Sequence, residues 1–116
     1  MRWIFAAVLI LHGLIHFMGP AKAFGWAELA QLQMPISRAS GLLWGVAGLA
    51  LLATAALYLL GIRGWWTLAL GAAVLSQVVI LGSWNDARIG TLPNVVIAAV
   101  VLATLLARGE GSLGGG

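Results

Sequence analysis

The stretch ASGLLWGVAGLALLATAALYLLGIRGWWTLALGAAVLSQVVILGS, residues 39–83, carries a single charged side chain, Arg63. The hydrocarbon core of a bilayer takes roughly 20 apolar residues of helix to cross, and residues 39–60 and 65–83 each supply a run of that order. Between them stands Gly61-Ile62-Arg63-Gly64, a connection so short that the two helices must be antiparallel neighbours. The stretch predicts a membrane-spanning helical hairpin.

Working outward, residues 3–18 and 92–107 are two further apolar runs. Pro35 and Ser37 stand before the second span as a stop and an N-cap, and Thr91 with Pro93 marks the start of the fourth. The whole chain has 116 residues, 62% hydrophobic and 8% charged, with a mean hydropathy of +1.05. So few charges cannot cover a soluble domain of this length. The net charge of +3 is scattered between the apolar runs, which reads as a topology signal and not as a nucleic-acid surface. Cysteine is absent, which removes disulfides, thiolate ligands and thiol catalysis. The expected fold is all-α: one transmembrane four-helix bundle over residues 1–108, then a flexible glycine-rich tail over 109–116.

Arg2, an apolar core and Ala21-Lys22-Ala23 also have the outline of a secretory signal peptide. The apolar run exceeds the roughly 7–15 residues of such a segment and holds two histidines, which favours a retained span. After it, PAKAFGWAELAQLQMP (residues 20–35) alternates Lys22, Glu28, Gln31 and Gln33 with Phe24, Trp26, Leu29 and Leu32, the pattern of a short interfacial helix between helices 1 and 2. In the second span Gly41, Gly45, Gly48 and Ala55 form a small-residue stripe, expected to pack within the monomer, with a homodimer face as the alternative.

Four spans place both termini and the Arg63 loop on one side. Basic residues divide evenly, Arg2, Arg63 and Arg108 against Lys22, Arg38 and Arg88. The positive-inside rule therefore does not decide the orientation, and the compact Arg63 loop with the amino terminus tips it to cytoplasmic termini. The uncharged polar residues are less even. His16, Glu28, Gln31, Gln33, Ser37, Ser40, Ser83, Asn85, Asp86 and Asn94 gather at the end opposite the termini. A rise of 1.5 Å per residue puts His12 and Gln77 each roughly 10 Å inside that end, where they could meet.

An ionisable residue within a membrane is by default a functional candidate. His12 and His16, at i and i+4, share a helical face. Three roles compete for them. Neutral imidazoles could hydrogen-bond to Gln77, Ser76 or Asn94 and fasten helices. They could begin a divalent-metal site, completed by Asp86 or Glu28. They could relay protons or touch a quinone headgroup. The second polar stretch, SWNDARIGTLPN (residues 83–94), has Asn85 and Asp86 as turn formers and Gly90 for a tight reversal before a Thr91 cap. As a lid over the histidines it would bring the Asp86 carboxylate and Arg88 guanidinium to a polar ligand.

HGLIHFMGPAKAFG (residues 12–25) together with SWNDARIGTLPN resembles a group of uncharacterised bacterial four-helix membrane proteins, over nearly the whole chain to Arg108. In some of these a similar segment precedes a soluble domain. His12-Gly13 with Lys22 beyond it is similar, over a shorter stretch, to the DoxX-like membrane proteins, a group with members linked to quinol oxidation. Neither resemblance brings a catalytic residue to carry over. The leading expectation is a non-catalytic bacterial inner-membrane protein that anchors or assembles a membrane-protein partner. A redox or metal-binding protein using His12 and His16 is second. A small homo-oligomeric transporter is third, because no Asp or Glu lies within any span.

Overall fold

The computed structural model describes residues 2–25 and 36–111. Its elements are α1 (Arg2–His16), α2 (Met18–Ala23), α3 (Arg38–Leu59), α4 (Trp65–Gly82), α5 (Trp84–Ala87), a 3₁₀ turn (Arg88–Gly90) and α6 (Thr91–Gly111). No strand occurs among the described residues. Four helical segments are long and apolar enough to cross a membrane: Arg2–Ala23, Arg38–Leu59, Trp65–Gly82 and Trp84–Arg108. The fold is an all-α four-helix bundle.

Helices dominate because in hydrocarbon every backbone N–H and C=O must be satisfied within the segment. Their outer faces are apolar as well as their inner ones. Leu42, Leu49, Val74, Leu81, Leu102 and Leu106 are all more than half exposed, a belt suited to lipid and not to water. Inside, Leu9, Ala47, Leu51, Ala69 and Ile97 are wholly buried. Toward the end bearing the termini, Phe5, Tyr58 and Trp65 meet edge to face at 4.9–5.8 Å between ring centroids, an arrangement favoured by the ring quadrupoles. Arg2 donates to the Leu59 carbonyl, and Arg108 Nη1 to the Arg63 carbonyl at 2.9 Å. The start of α1 and the last part of α6 are thereby tied to the α3–α4 connection.

That connection closes as the sequence predicts. Gly61, at φ 74°, takes the left-handed conformation that costs other residues most. Its N–H bonds the Tyr58 carbonyl, and the Ile62 N–H bonds the Leu57 carbonyl, the paired bonds of a Schellman cap. At the other end of α3, Ser37 is extended and its hydroxyl accepts from the Ser40 N–H at 3.1 Å.

Three local features differ from expectation. The helix of the first span is interrupted after His16, although the span runs on to Ala23, because Pro20 has no N–H for the His16 carbonyl four residues back and its ring crowds that oxygen. The short helix that follows therefore starts at Met18, two residues before Pro20, and ends at Ala23, with Gly25 just beyond it at φ 71°. It packs against α3, and the rest of that stretch, residues 26–35, lies outside the described residues. Thr91 is the first helical residue of α6, not a cap outside it: its backbone is helical at φ −62°, ψ −33°. Its hydroxyl accepts from Gln77 Nε2 at 2.9 Å. Gly90 is not among the positive-φ residues. Its surroundings are crowded: a Cβ there would stand 2.8 Å from Ile80 Cδ1, a side-chain end that would have to turn aside, and 3.5 Å from His12 Cε1.

The glycine stripe of α3 faces α1 and α2 within the monomer. A Cβ on Gly48 would meet the Gly13 carbonyl oxygen, and one on Gly41 would collide with Ala23. Gly19 does the same service from the other side, admitting the Trp44 side chain. Helices pack α1 on α3, α3 on α4, and α4 on α6, while α6 and α1 meet only sparsely. The bundle therefore has three tight seams and one loose one.

Candidate functional site

His12 and His16 both turn inward, 4% and 2% exposed. Because the first span continues to Ala23, His12 stands at the middle of that span and not near its end. The imidazoles lie edge to face, centroids 4.5 Å apart and planes at 88°. Ser76 of α4 and Asn94 of α6 complete the group, both buried.

The chemistry of each partner assigns the protons. His16 Nδ1 lies 2.7 Å from the His12 carbonyl oxygen, and a carbonyl only accepts, so Nδ1 carries the hydrogen. His16 Nε2 is then a lone pair and accepts the Ser76 hydroxyl hydrogen at 2.7 Å. His12 Nε2 lies 2.9 Å from Asn94 Oδ1, again an acceptor, so here Nε2 carries the hydrogen. Its second, longer acceptor is Ser76 Oγ at 3.2 Å. The two hydrogens of Asn94 Nδ2 go to Ser76 Oγ at 3.0 Å and Gln77 Oε1 at 2.9 Å. Gln77 passes its own hydrogen to Thr91. The circuit joins α1, α4 and α6 with both imidazoles neutral, and each of these hydrogens has an acceptor.

His12 therefore pairs with Asn94 and Ser76, while Gln77, matched to it by depth, sits one step further along the circuit. Span-interior hydroxyls elsewhere serve their own helices: Thr54 donates to the Ala50 carbonyl at 2.7 Å and Thr104 to Val100 at 2.8 Å. The polar circuit is a local feature and not a general wetting of the interior.

Beside the circuit is a cleft of about 440 Å³, lined by His12, Ile15, His16 and Met18 of the first span, Trp44 of α3 and Ile80 of α4. Asp86, Ala87, Ile89, Gly90 and Pro93 form its opposite wall. The stretch over residues 83–94 thus covers the histidines, as a lid would. Of its polar residues, Asp86 reaches the cleft, whereas Asn85 and Arg88 do not line it. Glu28 lies outside the described residues. Among the described residues no three His, Cys, Asp or Glu side chains come together as a metal-ligating group.

One residue of the site escapes a reading of the sequence. Trp44 is 3% exposed, its ring 5.4 Å from that of His16, and its indole Nε1 is buried with no hydrogen-bond partner among the described residues. The signal was there in principle: a tryptophan flanked by Gly41, Gly45 and Gly48 on one helical face needs a groove opposite, and Gly19 provides it. Ser76, one of the three partners the sequence offers for the histidines, is the hub of the circuit. The chain matches no family model, no curated protein and no solved structure.

Proposed function

We propose that this chain is a multi-pass protein of the bacterial inner membrane, with both termini in the cytoplasm, that anchors or assembles a membrane-protein partner without catalysing a reaction. The observation that supports this reading is the closed hydrogen-bond circuit. Both histidine Nε2 atoms are engaged with Ser76 and Asn94, and His16 Nδ1 with the His12 carbonyl, so three of the four ring nitrogens are committed within the bundle. Interhelical bonds of this kind contribute about 0.6–2 kcal/mol each in membranes. Several joined in one circuit hold three helices at a fixed rotation. The outward face of α6, with Leu92, Val95 and Leu102 exposed, is available to a partner helix.

The test has two parts. Protein purified in mild detergent should contain no stoichiometric metal and no visible chromophore. A photoreactive side chain in place of Val95 should trap one defined membrane protein in native membranes. A stoichiometric metal or chromophore that disappears in His12→Gln would overturn the non-catalytic reading. Cross-links to lipid alone would overturn the anchoring one.

A further inference from the structure

We propose that the cleft between the first span and the 83–94 segment binds an uncharged, lipid-soluble molecule through a hydroxyl group. The cleft opens on the loose seam of the bundle, where α1 and α6 meet sparsely. Its rim carries Ile15 and Ile89, 54% and 73% exposed. An apolar mouth within a membrane span admits molecules from the bilayer and discourages ions. Its volume of about 440 Å³ falls within the roughly 300–1,000 Å³ of small-molecule pockets.

The lining sets the chemistry of the head. His12 offers a lone pair: its hydrogen is on Nε2, every bond that reaches its ring from the described residues ends there, and Nδ1 is left as an acceptor. Trp44 offers the opposite. Its indole N–H is buried without an acceptor among the described residues, a costly state for a donor away from water. One functional group answers both needs, since a hydroxyl donates one hydrogen and accepts through its oxygen. A carbonyl would answer Trp44 but not His12, and an ammonium the reverse. Asp86, also in the lining, disfavours a carboxylate or phosphate head. The remaining walls, Ile15, Met18, Ile80, Ile89 and Pro93, suit an apolar body. The shared chemistry, a hydroxyl on a hydrophobic body, could belong to an acylglycerol or to a phenol such as a reduced quinone.

The test follows the Trp44 indole N–H by NMR in ¹⁵N-tryptophan-labelled protein, its peak identified by its loss in Trp44→Phe. The probes are 1-decanol and its methyl ether, which keeps the oxygen acceptor but has no hydrogen to donate. Decanol should shift the peak saturably, and the ether should bind about 3- to 10-fold more weakly for want of one hydrogen bond. Ile15→Trp fills the mouth from one wall and Ile89→Trp from the other; whichever remains folded should abolish the shift. Monodecanoylglycerol against 4-decylphenol then separates the two sources, the tighter binder naming the class. A shift that never saturates, equal binding of alcohol and ether, or a shift that survives closure of the mouth would overturn the proposal.

Discussion

Substituting alanine at two glycines of one stripe separates packing from helix propensity. A Cβ on Gly48 would stand 2.8 Å from the Gly13 carbonyl oxygen and 3.2 Å from both His16 Cβ and Phe17 Cε2. The nearest of these is backbone and cannot rotate away, so α1 and α3 must part by several tenths of an ångström. On Gly45, one turn earlier, the same Cβ would find only the Pro20 ring, at 3.5 and 4.0 Å, which is ordinary van der Waals contact. Both substitutions gain the same helix propensity, about 1 kcal/mol in water, so it cancels in their difference. What remains is the overpacking cost, about 1–3 kcal/mol. Gly48→Ala should therefore be less stable than Gly45→Ala by that amount in reversible unfolding in mixed micelles. It should also weaken the His16–Ser76 bond, because His16 touches the added methyl. Equal stability of the two variants would refute the close α1–α3 approach on which the placement of both histidines depends.

Other outcomes follow from the same geometry. His12→Gln should leave stability nearly unchanged, because an amide N–H still reaches Asn94, whereas His12→Leu should cost about 1–2 kcal/mol by stranding Asn94 Oδ1; thermal melts of the pair check this. Ser76→Ala should cost more than His12→Leu, since it removes the hydroxyl that serves His16, His12 and Asn94 together, and the same melts rank them. Gly61→Ala should destabilise by about 1 kcal/mol through its left-handed backbone alone, with no change in oligomeric state by size-exclusion chromatography. A reporter fused after Arg108 should be active in the cytoplasm, and one inserted in the 83–94 segment should be inactive there.

The elements are legible where a single physical rule decides them. Long uncharged runs make spans, a Gly-Ile-Arg-Gly connector makes a hairpin, and a serine ahead of an apolar run makes a cap. The candidate site is legible only in part, for a geometric reason. Axial depth follows from the helical rise, so the level at which His12 meets α4 can be reckoned. Rotation about the axis cannot, because α4 is apolar all round and gives no amphipathic stripe to orient it. Ser76 and Gln77 are neighbours about 100° apart on that helix, and the structure turns Ser76 to the histidines. Gly90 shows the same limit: the sequence marks a glycine, and only packing against Ile80 and His12 tells a crowded position from a turn requirement.

The loose seam and the polar circuit have a common origin. Where α1 meets α3, small residues on both sides let the backbones approach, and dispersion holds the pair. Where α1 faces α6, the described contacts include Asn94 reaching to His12 and, nearer the helix ends, the cleft wall. A hydrogen bond between side chains spans a gap that packed methyl groups would close, so α6 can be held at a fixed rotation without being drawn in. The cost of such a design is a void in the apolar part of the seam, and in a bilayer a void with an apolar mouth will be occupied by something lipid-soluble. Fastening three helices with imidazole, amide and hydroxyl groups and providing a cleft beside them are then two consequences of one choice of residues. Asn94 is the residue on which both depend: Asn94→Leu removes the bridge to His12, Ser76 and Gln77 together, and should alter the cleft as well as the stability of the bundle.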